Sequence, residues 1–161
     1  MADVSRKAGS RERVRSYLAA HGLAEGFTEF EQSTKTAQQA AEALGCELGQ
    51  VVKSLVFEVG DRPVVALVAG DRRADTNAIS ALLGGGEAHF AKPKAVRDAT
   101  GYSPGGVSPF DLPADLTVLA DASLSRFEIV YPAAGTATSM VRMRLAELLE
   151  LSGARVAEIA E

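Results

Sequence analysis

The sequence predicts a mixed-sheet α+β domain, and three observations point to that class. Its 161 residues fit a single domain, residues 1–161, and 47% hydrophobic residues suffice for a packed core. Strand-like and helix-like segments are interspersed along the chain. Two early strand-like runs, residues 51–59 and 63–69, are joined across Gly60-Asp61, as in a β-hairpin. A tight hairpin favours a mixed sheet over a doubly wound parallel sheet.

The N-terminal third is predicted to hold a polar arm, a helix and a short strand. Residues 1–9 lack apolar periodicity and are expected to form a loose arm. From Ser10 the spacing of apolar residues predicts a helix. The residues that define this spacing are Val14, Tyr17 and Leu18. Residues 27–31 then predict a short strand.

Three further helices are predicted from their end signals. Thr36 and Gln39 have the spacing of a capping box, and Gly45 marks the end of that helix. Asp75 or Thr76 can cap a second short helix. The third, residues 93–100, has proline at its start and glycine just past its end.

The C-terminal part combines a long loop with strands and a last helix. Residues 101–113 are rich in glycine and proline, which predicts an ordered irregular loop. Three later apolar runs predict strands, at residues 116–120, 127–131 and 139–143. Leucines at helical spacing after residue 144 predict a final helix.

Composition excludes several classes of protein. The net charge of −4 argues against non-specific coating of nucleic acid, including DNA, because such proteins present a strongly basic face. The longest apolar run has six residues, far short of the ~20 that cross a bilayer. A lone cysteine, Cys46, excludes an internal disulfide and fits a reducing compartment. We therefore expect a soluble cytoplasmic protein without a membrane partner.

The residues also argue against several kinds of catalytic site. His21 and His89 are the only histidines, and neither lies in a motif typical of a Ser-His-Asp triad. Two histidines and one cysteine make a zinc site improbable. The Gly84–Gly86 run lacks the Lys-Ser/Thr of a phosphate-binding loop. We expect no metal and no cofactor.

Three features remain as candidates for function. Lys53 lies in an aliphatic strand, where its charge must reach solvent or meet an anion; the alternative is an edge-strand lysine that discourages aggregation. The glycines of residues 101–109 allow backbone N–H groups to converge on an oxygen, although the segment could be a simple connection. Arg72 and Arg73 could grip phosphates, or form a solvated turn with intramolecular ion pairs.

Four segments, taken in order, resemble one known family. They are Thr36-Ala…Ala40-Ala41…Leu44-Gly45, Val51-Val52-Lys53-Ser54-Leu55-Val56-Phe57, Gly70-Asp71-Arg72-Arg73 and Thr100-Gly101-Tyr102-Ser103-Pro104-Gly105-Gly106-Val107-Ser108-Pro109-Phe110. With this combination the chain, from about Phe27 to Leu151, resembles the YbaK/ProX family. Members of this family are free-standing relatives of the editing domain inserted in bacterial prolyl-tRNA synthetases.

The resemblance implies a fold and an activity. The fold is barrel-like, with a mixed, mostly antiparallel sheet and flanking short helices. The activity is hydrolysis of the ester that links a wrong amino acid to tRNA, most often tRNA for proline. The attacking group is the 2′-hydroxyl, a bound water or a thiol of the amino acid. The implied partners are the acceptor end of mischarged tRNA and, as a further expectation, prolyl-tRNA synthetase.

The resemblance also implies roles for individual residues. Lys53 would position the 3′ end, and the loop from Gly101 to Gly105 would hold the ester carbonyl and the terminal adenosine. The catalytic positions are therefore expected to be Lys53, Gly101 and Gly105. The expected substrate-binding residues are Phe30, Ser54, Arg72, Arg73, Ser103, Pro104 and Gly106.

Two departures from the family pattern leave the substrate open. Alanine-specific members carry Asn after the lysine, where this chain has Ser54, and a late His that residues 133–139 lack. Cys, Ala, Ser, Thr and 2-aminobutyrate all remain candidates. The alternative function is a non-catalytic module that binds a tRNA end, a nucleotide or a protein in the same pocket. Lys53 and the intact loop favour the enzyme.

Overall fold

The computed structural model describes residues 2–30 and 36–161, with side chains from residue 9 onward. The helices in this part of the chain are α1 (Ala2–Ala20), α2 (Ala37–Leu44), α3 (Thr76–Leu82), α4 (Pro93–Thr100) and α5 (Leu145–Ser152). The strands are β1 (Phe27–Glu29), β2 (Val51–Val59), β3 (Arg62–Ala69), β4 (Ala88–Phe90), β5 (Thr117–Asp121), β6 (Ile129–Pro132), β7 (Ser139–Val141), β8 (Met143–Arg144) and β9 (Arg155–Ala157). Within the described residues, no helix is both long and apolar enough to cross a membrane.

One curled sheet dominates the fold. Its strands follow the order β8-β6-β2-β3-β5-β9, with β4 also paired to β2, while β1 and β7 form a separate two-stranded ribbon. Of the seven strand pairs in the described ranges, four are antiparallel and three are parallel. The predicted mixed-sheet α+β class and the hairpin of β2 and β3 are confirmed.

Local end signals predicted the helices well. Thr36 and Gln39 form the reciprocal hydrogen bonds of a capping box at the start of α2, and Gly45 ends that helix with a left-handed backbone (φ 70°). Asp75, rather than Thr76, caps α3 by accepting from two backbone N–H groups. Gly101 ends α4 in the same left-handed conformation.

The structure differs from the sequence-based prediction in several elements. Helix α1 begins at Ala2, whereas we expected an irregular arm before Ser10. Neither β4, in which His89 lies opposite Glu58, nor β9 was predicted. The strand expected at residues 139–143 divides into β7 and β8, because β7 pairs with β1 in the separate ribbon whereas β8 pairs with β6 of the main sheet. Strand β1 ends at Glu29, and residue 31 lies outside the described part.

Apolar side chains fill both faces of the sheet. On one face, Val52 and Val56 of β2 pack in the cluster that includes Leu18 of α1 and Phe110 of the long loop. On the other face, Phe57 packs with a cluster that spans α3 and the C-terminal residues. A third cluster joins α2 to the first residue of β2 and to β7. Burial of these surfaces fixes β2 at the centre of the molecule.

Asp121 supplies a stability prediction. Burial would raise its pKa, but hydrogen bonds from Ser123 and from the Ile159 N–H outweigh burial and lower it. A lowered folded-state pKa stabilises the fold above the unfolded-state value and loses that contribution as pH falls through the folded-state value. We expect Asp121→Ala to lower the free energy of unfolding by about 1–3 kcal/mol at pH 7, because buried N–H donors lose their acceptor.

Urea denaturation at pH 7 and at pH 3 measures this effect. The exposed Asp115→Ala is the matched control and should unfold like the parent at both pH values. The difference between parent and Asp121→Ala should shrink at the lower pH. An equal difference at both pH values would contradict the assignment to the Asp121 carboxylate.

Candidate active site

A cleft of about 290 Å³ lies beside the N-terminal half of β2. It is bounded by the start of α2, the long loop and the segment between β6 and β7. The lining residues are Thr36, Ala37, Ala40, Val51, Val52, Lys53, Ser54, Leu55, Gly105, Val107, Ala133, Thr136, Ala137, Ser139 and Met140. Most of the walls are small or aliphatic, and among the described residues Lys53 is the only charged one that lines the cleft. Such a cleft suits a small ligand that carries a polar or anionic group.

The floor of the cleft is an unpaired stretch of strand edge. On this edge of β2, β6 pairs with Val51 and Val52, and β4 pairs with residues 57–59. No described strand pairs with the residues between them on this edge. The carbonyl of Val56 accepts from Ala91 there, at 3.0 Å. Main-chain groups two residues apart point to the same edge, so the N–H and C=O of Ser54 face the gap.

Lys53 is anchored at this floor by a main-chain acceptor. Its Nζ donates to the carbonyl oxygen of Arg72 at 2.6 Å, and the side chain is half-buried. Burial lowers the pKa of Lys53, the guanidinium of Arg73 lowers it further, and Asp71 offsets part of the shift. An ammonium has three donors, so two remain for a ligand after the bond to Arg72.

Asp71 forms its ion pair with Arg126 and not with Lys53. Arg126 donates to both of its carboxylate oxygens at 2.8 Å, which is a bidentate ion pair. This hydrogen bonding lowers the pKa of Asp71. Among the described residues, no carboxylate lies within ion-pair distance of Lys53 Nζ. The positive charge at the cleft therefore stays available to an anionic ligand.

The long loop is held rigidly where it meets the cleft. The Tyr102 hydroxyl donates to the carbonyl of Phe110 at 2.6 Å, and both side chains are fully buried. Burial raises the pKa of Tyr102 to about 12, so the phenol remains a donor at neutral pH. At the cleft side of the loop, a Cβ on Gly106 would lie 2.9 Å from the Thr136 Cα. The loop and the segment before β7 thus touch through their backbones.

Residues 133–140 form a wall that the sequence did not predict as a site. Thr136 Oγ1 lies 2.8 Å from Ser139 Oγ and 3.2 Å from Thr138 Oγ1, so a hydroxyl cluster borders the cleft. Thr and Ser in an alanine-rich stretch give no distinctive motif. Their role arises only because β1 and β7 pair beside α2.

The structure brings together some of the expected site residues and not others. Lys53, Ser54 and Gly105 line the cleft. Ser54 Oγ is buried, and no described residue pairs with it. Phe30 packs in the cluster with α2 and Met140, and its N–H donates to Thr138 at 2.7 Å.

The remaining predicted residues lie outside the cleft lining. Gly101 is at the end of α4, where the Arg13 guanidinium lies against it. Ser103 accepts from the Gly106 N–H, in a turn that contains Pro104. Gly106 itself packs behind the lining, against residues 135 and 136.

Arg72 and Arg73 are exposed on the turn after β3. Arg72 supplies the carbonyl that holds Lys53 and lies 4.0 Å from Asp71. Arg73 pairs through its backbone with Glu161. The turn therefore contains intramolecular ion pairs, as expected of a solvated turn, which was the alternative to phosphate binding. Phosphate binding by either guanidinium stays a prediction.

Comparison with known proteins identifies the family. A family model described as the aminoacyl-tRNA editing domain matches residues 31–151. The chain belongs to this family. The editing domain is 38% identical over 148 residues to the uncharacterized protein YwhH of Bacillus subtilis, covering 91% of this chain and 94% of that protein. It is 27% identical to the multifunctional Ser/Thr-tRNA deacylase ProXp-y of Escherichia coli, covering 94% and 93% of the two chains.

A solved structure matches the editing domain closely. It is the crystal structure of a proposed trans-editing enzyme for prolyl-tRNA synthetase, with 38% identity and a TM-score of 0.86. The match covers 94% of this chain and 97% of that chain. The YbaK/ProX resemblance and the expected barrel-like fold are confirmed. The editing domain is an aminoacyl-tRNA deacylase, which is a hydrolase.

The charges around Lys53 predict opposite shifts in pH dependence. If protonated Lys53 supports hydrolysis, the rate falls as pH rises through its lowered pKa. Asp71→Asn removes a charge that raises this pKa, so the alkaline limb should move to lower pH. Arg73→Gln removes a charge that lowers the pKa, so the limb should move to higher pH. The measurement is kcat against pH, corrected for uncatalysed ester hydrolysis; shifts in the same direction would contradict the prediction.

Proposed function

We propose that the protein is a trans-editing deacylase for tRNA mischarged with a small amino acid, with tRNA for proline as the first candidate. The observation that carries this proposal is the cleft: a half-buried, anchored ammonium beside an open strand edge, inside small aliphatic walls. An aminoacyl-tRNA end presents phosphate and ribose oxygens to the ammonium and a small aminoacyl group to the walls. Charged tRNA is made in the cytoplasm, so we place the activity there.

Hydrolysis in this cleft needs no nucleophile from the protein. His21 hydrogen-bonds to the Tyr17 carbonyl, His89 lies in β4, and neither lines the cleft. In the direct route, the oxygen of water bonds to the ester carbonyl carbon, the bond from that carbon to the ribose oxygen breaks, and a proton passes from the water to the ribose oxygen. Where the 2′-hydroxyl or a substrate thiol attacks first, its proton passes to the leaving ribose oxygen and a 2′-ester or a thiolactone forms. Water then hydrolyses that product to the free amino acid. Positioning and electrostatic stabilisation can supply the acceleration, because the ester is already activated.

The residues expected from the sequence take different roles in this proposal. Lys53 binds a phosphate or sugar oxygen and stabilises negative charge that develops in the transition state. The backbone of Gly105 contacts the ester end, with Gly101, Ser103 and Pro104 shaping the loop behind it. The exposed N–H and C=O of Ser54 can bind the aminoacyl group through main-chain hydrogen bonds. Phe30, Gly106 and the two arginines support the walls and the turn.

Size and polarity restrict the amino acid. The cleft is at the lower end of the range of about 300–1,000 Å³ that is typical of small-molecule pockets. Cys, Ala, Ser, Thr and 2-aminobutyrate fit such a volume. The hydroxyls of Thr136 and Ser139 offer partners to a hydroxylated side chain, and the relative ProXp-y is named for Ser and Thr. Ser and Thr are therefore the amino acids to test first.

A panel of charged tRNAs tests the proposal. The purified protein is incubated with tRNA for proline that carries Ser, Thr, Cys, Ala, 2-aminobutyrate or Pro, with and without prolyl-tRNA synthetase. We expect release of one or more small non-cognate residues, and no release of Pro. A dependence on the added synthetase would identify it as a partner. Failure to release any residue in either condition would overturn the proposed substrate and favour a binding role.

A further inference from the structure

Phe90 is a large aromatic side chain that the fold leaves open to solvent. Its exposed fraction is 64%, and Val156 is the other large hydrophobic side chain of the described residues that is exposed. The ring of Phe90 rests on Phe57, with ring centroids 4.5 Å apart and planes inclined at 31°. One side of the ring is thus supported by the core, while much of its surface is open to solvent. Such an arrangement is suited to stacking against a planar ligand.

Phe90 lies on the same face of the sheet as Lys53. Phe90 is directly opposite Phe57 in the antiparallel pair of β4 and β2, so their side chains share a face. Along β2, Lys53, Leu55 and Phe57 share that face because side chains alternate. Four strand residues span about 13 Å. Leu55, which lines the cleft, lies between the lysine and the aromatic pair.

Exposed basic side chains lie close to Phe90 in the sequence. His89, Lys92 and Lys94 are exposed next to it, in a chain with a net charge of −4. Lys94 is paired with Asp98 at 2.9 Å, whereas Lys92 forms no ion pair with the described carboxylates. Glu87 is also exposed and Glu58 lies opposite His89, so the two signs of charge are close to balanced here. An exposed aromatic ring two residues from an exposed lysine is a pairing of side chains that proteins use to bind single-stranded nucleic acid.

We propose that Phe90 is a stacking platform for a base of the single-stranded 3′ end of tRNA, and that Lys92 binds a phosphate of the same segment. The proposal rests on the proposed function, since the aminoacylated terminal adenosine must occupy the cleft at Lys53. The nucleotides that precede it then leave the cleft along the unpaired edge of β2, beside Leu55, and reach Phe90 on β4. Phe90 is a positioning residue that holds the strand and does not touch the ester.

Two substrates separate this role from a structural one. An aminoacyl-adenosine fills the cleft alone, whereas aminoacyl-tRNA reaches Phe90 as well. We expect Phe90→Leu, which keeps an apolar contact with Phe57, to lower kcat/KM on aminoacyl-tRNA by about 5- to 150-fold, mainly through KM. The same variant should hydrolyse aminoacyl-adenosine like the parent. Phe90→Trp, which keeps an aromatic ring, should hydrolyse aminoacyl-tRNA like the parent. Val156→Ala changes the other exposed hydrophobic side chain and is the control, with parental activity expected on both substrates.

Binding measurements make the test independent of catalysis. A short RNA that ends in CCA, with 2-aminopurine in place of one cytosine, should lose fluorescence on binding the parent and much less on binding Phe90→Leu. Lys92→Gln should reduce the salt dependence of binding by about one ion. A parent that hydrolyses no charged tRNA but shows these RNA effects would overturn the proposed function alone.

Other outcomes would overturn the stacking role. Equal hydrolysis of aminoacyl-tRNA by Phe90→Leu and the parent would do so while leaving the deacylase intact. An equal loss on aminoacyl-adenosine would assign Phe90 to packing of β2. Sedimentation tests a second copy of the chain as the occupant of this edge. Self-association that Phe90→Leu abolishes, with RNA binding unchanged, would likewise overturn the proposal.

Discussion

Lys53→Ala should lower the rate of deacylation by about 10²–10³-fold, or about 2.7–4 kcal/mol of transition-state stabilisation. The reason is that Lys53 is the only charged lining residue in the part of the chain that the structure describes, and its Nζ is already fixed on the Arg72 carbonyl. Loss of the side chain removes both the placement of the 3′ end and the charge that opposes the developing oxyanion. Single-turnover hydrolysis of the preferred mischarged tRNA measures the change.

A charge-matched variant controls for general effects of a lost cation. Arg155 lies exposed on β9 and outside the cleft lining, so Arg155→Ala should deacylate at the parental rate. The thermal midpoint of Lys53→Ala should stay near that of the parent, because replacing a half-buried lysine with alanine makes an already aliphatic strand more apolar. A Lys53→Ala protein within about threefold of the parental rate would exclude Lys53 from the catalytic machinery.

Gly106→Ala should impair both stability and turnover. A Cβ at this position would lie 2.9 Å from the Thr136 Cα and 3.0 Å from the Gly135 carbonyl oxygen, and backbone atoms cannot move aside as a flexible side chain can. Relief of the clash must push the loop away from the segment before β7. We expect a loss of about 1–3 kcal/mol in the free energy of unfolding. We expect kcat/KM to fall by up to about 10²-fold, because the groups of Gly105 and Thr136 separate.

Gly9→Ala is the matched control for this substitution. A Cβ at Gly9 has no neighbour within 4 Å, and the residue lies inside α1. Alanine there should leave kcat/KM unchanged and raise stability by at most about 1 kcal/mol, as helix propensity predicts. Parental kinetics together with a parental urea midpoint in Gly106→Ala would show that the loop does not depend on this close approach.

Local sequence signals predicted the elements that local chemistry determines. The capping box at Thr36, the proline at the start of α4 and the turn between β2 and β3 all act within a few residues, and the structure confirms each. Strands β4 and β9 gave no such signal, because each has three residues and little buried alternation. They are strands only because β2 and β5 supply their hydrogen-bond partners. Tertiary context of this kind is not visible in a short exposed segment.

Residues of the candidate site could be predicted where one segment of the sequence has an unusual composition. A lysine within an aliphatic strand indicated Lys53. The glycine-rich pattern indicated residues 101–109 as a whole, and the family resemblance named Gly101 and Gly105 within them, of which Gly105 lines the cleft. The wall at Thr136 and Ser139 had no such anomaly. The ion pair between Asp71 and Arg126 was not predicted either, because the two residues are 55 positions apart in the sequence. Only the folded sheet brings these groups to one place.

The interrupted edge of β2 has a consequence for how selectivity can evolve. Ser54 presents its main-chain N–H and C=O to the cleft, and every amino acid except proline would offer the same two groups at that position. Substitutions in the surrounding walls can therefore change which side chain is accepted while these two main-chain groups stay in place. In such a scaffold the main-chain contacts stay the same while the wall side chains vary. Single mutations in the walls can then change selectivity without an inactive intermediate.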